Sequence, residues 1–190
     1  MPETIRTFIA VPLPQALLSH LDDIQEGMKS HGLRARWVRP QGIHLTLKFL
    51  GDIKTEDVET IADIMSESAK DYAPFSLSAK GIGVFPNIRR PRVIWAGLKG
   101  DTYPLIDLQK RLEENLETIG FPKESRPFKA HLTLARIKNR IDAKKLADAI
   151  REFGTAESES FAADHIVLYQ SVLKPTGAIY TKLRNINLKG

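Results

Sequence analysis

A chain of 190 residues that is 42% hydrophobic and 27% charged can bury a real core, and its composition is that of an ordinary soluble protein rather than a disordered one. It contains no cysteine, which excludes disulfides, thiolate zinc sites and cysteine nucleophiles; it has no membrane-length apolar run, and because MPETIRTFIAVPLP lacks the basic region, long apolar stretch and small-residue cleavage site of a signal peptide, no secretory leader is expected. A reducing, cytoplasmic setting without membrane association is therefore expected. The net charge of +5 is unevenly placed, gathering at Arg34, Arg36 and Arg39, at Arg89, Arg90 and Arg92, and from Lys123 to Arg140, a distribution suited to a polyanion such as RNA.

Arg6 to Val11 alternates into a short strand, and Pro14 opens a helix whose Leu17, Leu21, Ile24 and Met28 keep helical spacing until Gly32. Trp37 to Pro40 leads into a strand from Ile43 to Leu50, ended by Gly51. Thr55, Glu56 and Asp57 supply the start of a helix burying Val58, Ile61, Ala62 and Met65. Phe75 to Val84 and Arg92 to Leu98 read as strands around a loop containing Pro86 and Pro91. Pro104 opens a helix with Leu105, Leu108, Leu112, Leu116 and Ile119 inward, closed by Gly120. A basic stretch from Phe121 to Phe128 then reaches the segment around His131. Asp142 caps a helix with Leu146, Ala149, Ile150 and Phe153 inward, and Phe161 to Tyr169 and Ala178 to Ile186 are closing strands joined by a turn at Lys174 to Gly177.

Two stretches carry chemistry. In the strand from Ile43, alternation puts His44, Thr46 and Lys48 on one face and Ile43, Leu45, Leu47 and Phe49 on the other. The letters His-Leu-Thr-Leu return at 131–134, presenting His131 and Thr133 together. Of five histidines, His20 and His31 read as surface residues and His165 follows Asp164. Phe8 stands 36 residues before His44 and Trp95 stands 36 before His131, so a period of about 87 residues runs through the chain, as repeats of roughly 1–87 and 88–190. The predicted fold class is α+β, with two lobes related by a pseudo-twofold axis in one bilobal domain, helices packed behind, and the two motif strands facing each other across a cleft.

Two imidazoles on opposite walls, each with a hydroxyl two residues on, suit displacement at a phosphodiester. One imidazole takes a proton from the attacking oxygen, the other gives one to the leaving oxygen, and the hydroxyls bond the non-bridging oxygens where charge builds up. Lys48 is a candidate for an added positive charge on the same face. No HxxxH, HxH or HExxH spacing supports a metal site, and no P-loop, GxGxxG or GxSxG motif occurs. No cofactor or metal is expected. The pattern leaves open a non-catalytic nucleotide- or RNA-binding module, and a phosphodiesterase for small cyclic nucleotides or 2′-5′ oligoadenylates.

The paired HLTL motifs, RTFIAVPLP at the start, the contexts HLTLKFLG and PFKAHLTLAR, and SVLKPTGAIYTKL near the end resemble the two-histidine phosphoesterase superfamily. Within it they resemble the RNA 2′,3′-cyclic phosphodiesterase family, also called 2′-5′ RNA ligase, over almost the whole chain. The resemblance implies antiparallel sheets around a cleft and metal-independent hydrolysis of a terminal RNA 2′,3′-cyclic phosphate to a 2′-phosphate. By motif position His44 is the proton donor to the leaving 3′ oxygen, His131 is the base that activates water, and Thr46 and Thr133 hold the phosphate. Ligation of a 5′-hydroxyl would be the reverse reaction without ATP. The implied partner is an RNA end bearing the cyclic phosphate, met by a monomer with no obligatory protein partner. One departure is Ala130, where the family often has proline.

Overall fold

The computed structural model describes residues 3–175 and 177–190. Thirteen elements follow one another: β1 (Thr4–Val11), α1 (Gln15–Ser30), β2 (Arg36–Trp37), β3 (Leu45–Lys54), α2 (Val58–Ala69), β4 (Phe75–Phe85), β5 (Val93–Gly100), α3 (Thr102–Glu117), β6 (Leu132–Arg136), α4 (Ala143–Phe153), β7 (Phe161–Ala163), β8 (His165–Lys174) and β9 (Gly177–Asn187). The fold is α+β. One antiparallel sheet has the order β3-β1-β8-β9 and is called sheet A below; the other, sheet B, has the order β2-β6-β5-β4-β7. No helix among the described residues is long and apolar enough to cross a membrane.

The helices form where their apolar stripes can be buried. Leu17, Leu21, Ile24 and Met28 of α1, and Leu105, Leu108, Leu112 and Leu116 of α3, are all buried in one core between helices and sheets. Asp142 caps α4 as its residue type predicts, its carboxylate accepting from the backbone N–H of Lys144 at 2.9 Å and of Lys145 at 3.1 Å. Gly120, at φ +98°, turns the chain out of α3 in the left-handed region open to glycine.

Neither sheet coincides with one half of the chain. Sheet A takes β1 and β3 from the first half and β8 and β9 from the second, while sheet B takes β5, β6 and β7 from the second half and β2 and β4 from the first. The helices mix in the same way, α2 packing with α3 and α1 with α4. The repeat order of strand, helix, motif strand, helix and strand is present, but each half gives strands to the other half's sheet: β2 and β4 join sheet B, and β8 and β9 join sheet A.

Two boundaries differ from the sequence expectation. Gly51 does not end the first motif strand: β3 runs on to Lys54, and Gly51, at φ +74°, sits at a register shift where Thr7 faces Gly51 but Phe8 faces Phe49. The expected strand from Phe161 to Tyr169 is two strands in two sheets, because the chain leaves β4 at Asp164 and joins β1 as β8. In the expected turn from Lys174 to Gly177, Thr176 lies outside the described residues.

Candidate active site

Cross-strand partners share a face of a sheet, so register shows what surrounds each motif. In sheet A, Thr46 pairs with Ala10, and Phe8 pairs with both Phe49 and Tyr169. This face carries its own small apolar cluster of Phe8, Ala10, Val167 and Tyr169, with Tyr180 packed against it. His44, immediately before β3, lies on that cluster: its ring stacks on Phe8 at 4.6 Å between centroids and meets Tyr180 edge-on at 5.0 Å. Burial there pushes its imidazole down from 6.5 to about 4.

The second motif differs in its surroundings. His131 precedes β6, and its Nδ1 lies 2.6 Å from the carbonyl oxygen of Lys129. A carbonyl only accepts, so Nδ1 carries the hydrogen and Nε2 is left as the proton-accepting nitrogen of the neutral ring. The ring of Phe85 stands edge-on to it at 5.0 Å. Thr133 pairs with Trp95, the repeat counterpart of Phe8, whereas Thr46 pairs with Ala10, two residues beyond Phe8.

Burial raises the Tyr180 phenol, and the charges of Arg136 in β6 and Arg6 in β1 offset part of that rise. The chain bridges the sheets closely. Val38 donates to the carbonyl of Leu134, next to Thr133, and six residues later the same stretch of chain reaches His44.

Each motif strand has a bulge directly after its threonine. Ala10 faces Thr46 while Ile9 faces Lys48, leaving Leu47 extra; Trp95 faces Thr133 while Ile94 faces Ala135, leaving Leu134 extra. A buried glutamine holds the carbonyl of each extra residue, and it comes from the other half of the chain. Gln109 of α3 donates to Leu47 at 3.3 Å, and Gln25 of α1 donates to Leu134 at 2.8 Å and to Val38 at 2.8 Å.

The first bulge corrects the expected faces of β3. Past Leu47 the alternation reverses, so Phe49 joins the His44 face and is 59% exposed, while Lys48 turns into the interior. Its Nζ donates to Glu113 Oε2 at 2.7 Å and to the carbonyl of Pro122 at 2.6 Å, and Glu113 Oε2 also accepts from the backbone N–H of Glu124 at 3.1 Å. Lys48 is thus a structural tie between β3 and the basic stretch leading to His131, and adds no charge beside His44. The other histidines are also more enclosed than expected. His20 is half-buried with Nε2 unpaired, His31 lies 2.8 Å from Glu152, and His165 Nδ1 lies 2.5 Å from Asp164.

Sequence reasoning missed the ring cluster and the two glutamines. A signal existed for the latter, since Gln25 and Gln109 each interrupt an otherwise apolar helical stripe, a place where a polar residue needs a buried partner. Among the described residues no group of three or more His, Cys, Asp or Glu is arranged to hold a metal ion.

A doubled His-x-Thr on two sheets, each copy followed by a matching bulge, defines a kind of protein that comparison can test. The family model for LigT-like phosphoesterases matches residues 11–95 and 101–180, most of the chain. The chain belongs to this family. A protein from Methanothermobacter thermautotrophicus named RNA 2′,3′-cyclic phosphodiesterase is 36% identical over 185 residues, covering 97% of this chain and 99% of its own. A protein of the same name from Methanocaldococcus jannaschii is 33% identical over 180 residues, covering 95% of this chain and 99% of its own. The crystal structure of a protein from Thermus thermophilus superposes with a TM-score of 0.80 at 28% identity, covering 98% of this chain and 99% of that one. The LigT-like fold therefore extends over the full set of elements described above.

Proposed function

We propose that this phosphoesterase hydrolyses the 2′,3′-cyclic phosphate at an RNA end to a 2′-phosphate, with His131 as general base and His44 as general acid. Water attacks phosphorus while His131 Nε2 takes its proton. The bond from phosphorus to the 3′ oxygen breaks, His44 gives that oxygen a proton, and the hydroxyls of Thr46 and Thr133 bond the non-bridging oxygens as their charge grows. Ligation of a 5′-hydroxyl is the same chemistry run backwards.

The observation that carries this reading is the Lys129 carbonyl on His131 Nδ1, which fixes the tautomer a base needs. The lowered proton affinity of His44 fits an acid created by its substrate. The cyclic phosphodiester is an anion, and its arrival beside the buried ring favours the imidazolium that burial disfavours. The names of the relatives at 33% and 36% identity supply the substrate class.

The test is incubation with nucleoside 2′,3′-cyclic phosphates and with an oligonucleotide ending in one, in EDTA, followed by separation of 2′- and 3′-phosphates. The expected product is the 2′-phosphate at undiminished rate. Loss of turnover on chelation, restored by zinc or magnesium, would rule out the mechanism, and a 3′-phosphate product would reverse the leaving group.

A further inference from the structure

Many lysines and arginines away from the β2–β6 end of sheet B have a carboxylate: Lys29 with Glu26, Lys80 and Lys99 with Glu157, Arg111 with Asp71, Arg151 with Asp148, and Arg184 with Glu59. At that end, Arg34, Arg36, Arg136, Lys138, Arg89 and Arg90 are all exposed, and none forms an ion pair among the described residues. Unneutralised like charges repel, so a cluster of this kind destabilises the fold slightly and has its use with an anionic partner.

The cluster is continuous with the candidate site. Trp95 pairs with Thr133, Val93 pairs with Arg136, and Arg36 pairs with Arg136, so Thr133, Arg136 and Arg36 share one face of sheet B. Arg34, Arg36, Lys138 and Asn139 then line an open cavity of about 290 Å³ just beyond that face. The side of the cluster carrying Arg89 and Arg90 begins at Phe85, the ring packed on His131, and is tied back to it because Arg92 donates to the carbonyls of Phe85 and Lys138. A single strand with its end between His44 and His131 would have Arg136, Arg36 and the cationic pocket beside it on this face.

We propose that this surface is a subsite for the phosphodiester backbone of RNA upstream of the cyclic end, held through Arg34, Arg36, Arg136 and Lys138 with Arg89 and Arg90 alongside. It rests on the reading of the chain as an RNA cyclic phosphodiesterase and adds to it the place where substrate length is sensed. Backbone contacts carry no base information, so the preference it creates is for length over sequence.

The experiment compares kcat/KM on a nucleoside 2′,3′-cyclic phosphate with that on cyclic-phosphate-ended oligonucleotides of increasing length, across a range of salt. In the unaltered protein the ratio of oligonucleotide to mononucleotide rises with length and falls with salt. In the Arg34→Ala/Lys138→Ala protein the ratio drops on the order of tenfold at low salt, and the salt slope decreases by about 0.7 for each cation removed. A control removing two remote cations, Lys54→Ala/Lys70→Ala, changes net charge equally and keeps the ratio. No length preference in the unaltered protein, or an equal drop in the control, overturns the subsite. Anisotropy with a fluorescent RNA ending in a 2′-phosphate reads the same surface without turnover: weaker binding by the double variant supports the subsite and unchanged binding overturns it, even if the chain hydrolyses no cyclic phosphate.

Discussion

The acid role proposed for His44 requires its proton at the pH of the reaction, and burial against the rings of Phe8, Tyr169 and Tyr180 pushes the imidazole the other way, to about 4. Since the unfolded chain takes up this proton near 6.5 and the folded one only near 4, stability is intact above pH 6.5 and is lost as pH falls through that interval, by about 3 kcal/mol at its lower end. Urea melts at pH 7 and pH 4 should show that loss, and His44→Ala should remove most of it; an equal loss in the variant would mean that other groups carry the acid sensitivity. The two roles also separate by leaving group. Each alanine variant should lose about 10²- to 10⁴-fold on a cyclic phosphate. An aryl phosphodiester departs without a proton, so His44→Ala should regain much of its rate on that substrate while His131→Ala should not. Recovery in the His131 variant would exchange the assignments.

The same scale shows what a sequence can and cannot convey about two like histidines. The doubled motif was legible because an imidazole and a hydroxyl at fixed spacing have no packing reason to recur. The difference between the copies was not, because it comes from Phe8, Tyr169 and Tyr180 on one side and the Lys129 carbonyl on the other, drawn from distant parts of the chain.

Among the elements, the helices were legible from their apolar stripes, and β3 was legible up to Thr46. Beyond it the inserted Leu47 reverses every face, and alternation alone carries no mark of an inserted residue. Lys48, read as a front-face cation, therefore ends at 4% exposure against Glu113. Removing one partner of such a pair strands a buried charge, so Lys48→Met should cost about 3–5 kcal/mol. Lys48→Met/Glu113→Leu should recover a large part of it, and chemical denaturation of the three proteins checks both. If the single change costs under about 1 kcal/mol, in the range of surface pairs, the tie is structurally idle.

At the scale of the molecule the 87-residue period was legible, but the exchange of strands between the halves was not, since alternation along a strand does not name its partner. The exchange fixes how the protein comes together: β1 pairs with β8 across more than 150 residues of chain, so neither sheet is complete until both halves have been made. Fragments 1–90 and 91–190 should each be largely unfolded alone and should regain circular dichroism when mixed. Cooperative melting by either fragment alone would show that a half can close its own sheet.

A chain carrying one such repeat could satisfy its strands only by trading some of them with a second copy, and the counterparts of His44 and His131 would then belong to different subunits. Their meeting would be a bimolecular event, weakened by dilution. Joining both repeats in one polypeptide turns that encounter into an intramolecular one, so the bringing together of the two histidines is a matter of chain connectivity and is insensitive to how much of the protein is present.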